Sequence, residues 1–122
     1  MMWSATGAAA LALAVMLGAF GAHGLRGKLD AYAMGIYEKA VFYHFVHALG
    51  LLAVPVMARL GAIRPGQAAA VCVLLLAGIA IFSGSLYLLA VTGARWLGAI
   101  TPLGGVSFIA AWVVLAYALA RS

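Results

Sequence analysis

Residues 68 to 91, "AAAVCVLLLAGIAIFSGSLYLLAV", contain no charged side chain. As a helix this stretch is about 36 Å long at about 1.5 Å per residue, enough to cross the roughly 30 Å of hydrocarbon in a bilayer. The run is too long and too continuously apolar for a barrel strand, which would alternate. A helix also satisfies every backbone hydrogen bond within itself. Three further windows share this character, at about 3 to 22, 39 to 58 and 102 to 120. The whole chain of 122 residues is 68% hydrophobic and 7% charged, far more apolar than one small soluble core can hide. The expectation is an all-α integral membrane four-helix bundle, a single domain over residues 1–122.

The first window has no basic residue before Trp3 and a long apolar run, so it is read as a permanent span, not a cleaved signal. Cys72 is the only cysteine, which excludes an intrachain disulfide and makes a small packing residue of it. A net charge of +5 in a soluble domain would point to nucleic acid. Here Arg26, Lys28, Lys39, Arg59, Arg64, Arg95 and Arg121 all fall at or beyond span ends, the pattern of anchors to lipid headgroups. The expected partners are membrane lipids, with a second copy or another membrane protein as further candidates, and no nucleic acid. Four basic residues in connections 1 and 3 against three on the other face tilt the former toward the cytoplasm. An even number of spans puts both termini on one side.

Within the first span Ala10, Ala14, Gly18 and Ala22 recur every four residues, a small-residue stripe that lets another helix approach. "LRGKLDAYAMGI", residues 25 to 36, repeats Leu25, Leu29, Tyr32 and Ile36 at helical spacing and reads as a short amphipathic helix on the membrane surface. Pro55 should kink the second span, because it cannot donate to the Leu51 carbonyl. Thr101 is placed to cap the fourth span, with Pro102 in its first turn, and Trp96 is placed as an interfacial anchor. "AFGAHGL" and "IFSGSL" echo each other across the two halves of the chain.

Depth sorts the polar residues. Spans 1 and 3 end where 2 and 4 begin, so His23, Lys39, Tyr43, His44, His47, Ser83, Ser85, Tyr87, Thr101 and Ser107 share one half of the membrane. Lys39, Tyr43 and His47 drift by only about 40° per step around their helix, which gives it one polar face. Ionisable groups at this depth turn to the bundle interior or a partner. Three readings compete. The histidines can fix helix register, with His47 reaching Ser83, Ser85 or Thr101. They can line a small-molecule, lipid or proton site made of His23, Tyr43, His44, His47, Ser83, Ser85 and Thr101. Or His23 and His47 can hold a metal or haem, although no Cys, Asp or Glu joins them. Hydrolysis at Ser83 or Ser85 lacks a buried carboxylate to orient an imidazole.

"GAFGAHGL", "YHFVHALGLL", "FSGSLYLLAVTG" and "LGAITPLGG", in this order and with four spans, resemble the family called domain of unknown function 423, or UPF0382, which includes the animal transmembrane protein 256. The resemblance covers nearly the whole chain. It implies a multi-pass protein of the bacterial inner (plasma) membrane and brings no activity, substrate or cofactor. It also implies a helix 2 motif of tyrosine, a polar residue and His-Ala. His47 fits that motif, while His44 stands where glutamine is common, so a task needing both imidazoles is disfavoured. The resulting expectation is a non-enzymatic membrane protein without a cofactor, catalytic residue or metal, whose polar pocket serves small-molecule, lipid or partner binding or translocation. The alternative is a redox, metal- or haem-binding subunit or enzyme using His23 and His47.

Overall fold

The computed structural model describes residues 1–122. Four helices long and apolar enough to span a membrane follow one another: α1 (Met2–Leu25), α2 (Ala31–Arg59), α3 (Pro65–Thr92) and α4 (Thr101–Ala120), the last preceded by a 3-10 turn over Arg95–Ala99. There is no β-sheet, and the protein is an all-α four-helix membrane bundle. Each hairpin packs on itself, α1 on α2 and α3 on α4, and α2 joins the pairs by lying against α3.

The surface helix expected over residues 25 to 36 does not form separately. α1 runs past Gly21 and Gly24 through a π-type turn to Leu25. The chain then turns at Gly27, whose φ of +88° suits glycine alone. Asp30 starts α2 at once, its Oδ1 accepting the Ala33 N–H at 2.8 Å. The amphipathic residues are therefore the first turns of a 29-residue helix. At about 1.5 Å per residue that helix is about 44 Å long, so its polar start stands in the headgroup layer.

Close approach of α1 to α2 follows a different spacing from the expected stripe. Ser4, Gly7, Ala14, Gly21 and Leu25 are buried, with Leu11 and Gly18 half-buried between them, whereas Ala22 is exposed. Steps of three and four alternate along this row, giving a mean of 3.5 that stays on one seam. A constant step of four drifts off it by about 40° each time. The row on α2 matches it: Tyr37, Ala40, His44, His47, Leu51 and Val54 are all buried. A Cβ on Gly7 would stand 2.5 Å from the Leu52 nitrogen, so only hydrogen fits there. Gly104 on α4 lies equally tight against the backbone of Phe82. Pro55 is buried in α2, and the helix continues beyond it to Arg59. Ser4 Oγ donates to the neighbouring Leu52 carbonyl at 2.9 Å.

The half of the bundle away from Asp30 is packed by apolar side chains. Leu51, Val54, Val71, Cys72 and Leu75 are fully buried and meet Ile63, Leu115 and Ala118. Cys72 is thus a packing residue, as its surroundings in the sequence predict.

Candidate functional site

The other half collects the polar side chains, and α2 positions most of them. Tyr37 Oη donates to the Leu17 carbonyl of α1 at 2.5 Å and the Tyr37 ring meets Tyr87 edge-on at 5.2 Å. His44, only 2% exposed, places Nδ1 2.9 Å from Tyr87 Oη. Ser83 is fully buried and donates to the Ala40 carbonyl at 2.8 Å. Ser85 Oγ stands 2.6 Å from Thr101 Oγ1 and 3.0 Å from the Phe82 carbonyl. Ser107 Oγ donates to the Leu74 carbonyl at 2.7 Å. No fully enclosed side-chain nitrogen or oxygen lacks a hydrogen-bond partner.

His47 differs from what depth alone predicts. Its Nδ1 lies 2.7 Å from the carbonyl of Tyr43, one turn back on the same helix. A carbonyl only accepts, so Nδ1 carries a proton, and in the neutral imidazole Nε2 keeps its lone pair. The ring stacks on Phe108, centroids 3.4 Å apart and planes 11° from parallel, with Trp112 at 5.7 Å. His47 therefore reaches none of Ser83, Ser85 and Thr101. The reason is register: Ser83 sits opposite Ala40, seven residues or about 10 Å from the level of His47. Thr101 likewise does not cap α4, since its hydroxyl donates back to the Leu97 carbonyl at 3.2 Å and meets Ser85.

His23 stands apart. It is exposed on the π-type end of α1, where Gly21 faces the Tyr37 ring. That level is ten residues, or about 15 Å, from His47 along α2. The pair on which a metal or haem reading relied is not formed, and no three His, Cys, Asp or Glu side chains converge. Tyr43 is half-buried beside Phe82, with ring centroids 4.5 Å apart. The structure thus brings His44 together with Tyr87, and Ser85 with Thr101. It adds Tyr37, Phe82, Phe108 and Trp112, which polarity alone did not single out. Tyr37 was within reach of the sequence, because it opens the same heptad row as His44 and Leu51.

None of the main hollows of the surface is lined by Tyr43, His44, His47, Ser83, Ser85 or Thr101, and two of them lie in the same half of the bundle as this cluster. One, of about 360 Å³, runs between α1 and α2 over Gly18, Gly21, Tyr37, Val41 and Phe45, with Arg26 and Glu38 at its headgroup end. A second, of about 670 Å³, lies between the start of α2 and the end of α3, where Asp30 and Arg95 face it.

Buried hydroxyls and imidazoles knitting apolar helices, with the charged side chains toward the ends, define a multi-pass membrane protein whose interior polarity is spent mostly on helix-to-helix bonds. Residues 17–105 match the family described as protein of unknown function (DUF423), and the chain belongs to that family of UPF0382 membrane proteins. It is 49% identical over 110 residues to the UPF0382 membrane protein YwdK of Bacillus subtilis, covering 89% of this chain and 88% of the relative. It is 52% identical over 106 residues to a UPF0382 membrane protein of Staphylococcus epidermidis, covering 87% and 84%. A UPF0382 membrane protein of Staphylococcus haemolyticus is 49% identical over 109 residues, covering 89% and 87%. No solved structure matches the chain.

Proposed function

We propose that this is a non-enzymatic protein of the bacterial inner membrane that binds a zwitterionic amphiphile, a phospholipid or a small molecule of the same charge pattern, in the groove between α1 and α2. The observation that carries the reading is the groove's polarity. Its lining is apolar along Val41 and Phe45 and includes both a cation, Arg26, and an anion, Glu38. A headgroup phosphate suits the guanidinium, an ammonium suits the carboxylate, and the chain that follows suits the apolar lining. The cluster of His44, His47, Ser83, Ser85 and Thr101 then serves as the rigid wall behind the groove, with Tyr37 belonging to both. Against catalysis, the hydroxyls of Ser83 and Ser85 are engaged with carbonyls and Thr101, and neither faces an imidazole. The relatives in Bacillus and Staphylococcus, named as membrane proteins, support the location.

The test is lipid retention. Full-length protein purified in a mild neutral detergent should carry phosphatidylethanolamine by mass spectrometry, and Arg26→Gln/Glu38→Gln or Ala22→Trp should lose it. Equal recovery from all three proteins refutes the reading. A second reading, a haem- or metal-binding subunit, draws on His47, whose Nδ1–H is held by a carbonyl so that Nε2 is free to ligate. The same preparation decides that: a Soret band or bound metal that disappears in His47→Ala supports it, and a colourless, metal-free protein discards it.

A further inference from the structure

At the opposite end of the bundle, the α2–α3 connection and the last turn of α4 enclose a hollow of about 400 Å³, lined by Arg64, Gln67, Arg121 and Ser122 among others. The chain has only two acidic side chains, Asp30 and Glu38, and both lie at the beginning of α2, across the membrane from this hollow. Arg64 and Arg121 therefore line one concavity in which no side-chain carboxylate stands, and the two guanidiniums outnumber the single main-chain carboxylate of Ser122 beside them. The Gln67 amide adds to the positive character: its Oε1 accepts the backbone N–H of Arg64 at 2.9 Å, which leaves the NH2 group as donor. Arg121 is steadied over the ring of Tyr117, 5.6 Å from its centroid. The inner wall of the hollow, at Ile63 and Ala118, is apolar and continues into the buried core.

We infer that this hollow binds the phosphodiester of an anionic phospholipid. The paired guanidiniums take the phosphate oxygens in the bidentate geometry that arginine favours, and the apolar inner wall receives the glycerol end of the lipid. A free phosphate shares the first chemistry and lacks the second. The site is independent of the α1–α2 groove, lies on the other membrane face, and calls for a net negative headgroup.

Arg26→Gln/Glu38→Gln, in which the α1–α2 groove no longer takes a zwitterionic lipid, serves as the parent; titrated as full-length protein in neutral detergent with short-chain phosphatidylglycerol, phosphatidylcholine and inorganic phosphate, it tests this by native mass spectrometry and melting temperature. Phosphatidylglycerol should bind and raise the melting temperature, with the other two having little effect. Arg64→Gln/Arg121→Gln should bind phosphatidylglycerol about 30-fold more weakly, from the attraction each basic residue contributes at an anionic lipid surface. Lys28→Gln, which removes one charge at the far end, should bind as the parent does. Arg64 and Arg121 are exposed, so the double variant should fold. If it melts early without lipid, Arg121→Gln alone replaces it, with a smaller loss expected. Unchanged affinity in the arginine variants, an equal loss in Lys28→Gln, or equal binding of phosphatidylcholine or inorganic phosphate overturns the assignment.

Discussion

The two halves of the membrane are held together by different means. Toward Asp30 the helices are tied by hydroxyls and imidazoles: Tyr37 to Leu17, Ser83 to Ala40, His44 to Tyr87 and Ser85 to Thr101. Toward Arg59 the interior is Leu51, Val54, Val71, Cys72 and Leu75, and Ser4 contributes the main hydroxyl bond between helices there. Lipid tails are as apolar as leucine, so burial from water draws neither half together and dispersion at close range must do so. The polar half adds register. Most of its acceptors are main-chain carbonyls, at Leu17, Ala40, Leu74 and Phe82, and all four lie inside helices whose own bonds persist when the side-chain donor is removed. The difference teaches that the visible polarity of this bundle specifies alignment, while the contacts that resist separation are the unobtrusive ones.

That ordering can be broken, beginning with the largest effect. Gly7→Leu and Gly104→Leu place a side chain against the backbones of Leu52 and Phe82 and should each cost about 3 kcal/mol or prevent assembly. Reversible unfolding in mixed micelles measures this, and a mild effect in one half alone would show that close approach matters on one side only. Leu75→Ala empties a fully buried position and should cost about 2 to 3 kcal/mol, at the low end of the large-to-small range. His47→Ala removes the ring stacked on Phe108 and should cost about 1 to 2 kcal/mol, more through lost packing than through its intrahelical bond. Ser83→Ala, which loses only a bond to a carbonyl, should cost about 0.6 kcal/mol. His23→Ala, exposed at the end of α1, should leave stability unchanged. If Ser83→Ala proves costlier than Leu75→Ala under the same thermal unfolding conditions, hydrogen bonding rather than packing carries the bundle.

The spans were plain in the sequence because hydrocarbon thickness admits little else for such apolar windows, and the gathering of polar residues in one half followed from the alternating direction of the helices. Register did not follow. Ser83 and His47 are equally far from the nearest polar boundary in sequence, yet α2 begins at Ala31, so its first turns stand in the headgroups and every level along it shifts. A helix embedded at one end in water is not bounded by its apolar window. The α1 seam was legible and easily misread, because small residues occur at both the three-four and the constant-four spacing and only the former stays in line. The echo between "AFGAHGL" and "IFSGSL" has a partial counterpart: π-type turns occupy Gly21–Leu25 and Ile79–Ser83. The hollow at Arg64 and Arg121 was hidden because it depends on how the end of α4 meets a turn half the chain away.

Each of the three connections pivots on a glycine with positive φ, at Gly27, Gly61 and Gly93. Left-handed backbone reverses the chain in a few residues, so these connections protrude little into the water on either side. Connections this short offer proteases, antibodies and soluble regulators very little to grasp. The larger part of the protein's surface faces the bilayer, so a change in the surrounding lipid mixture reaches more of it than a change in the water does.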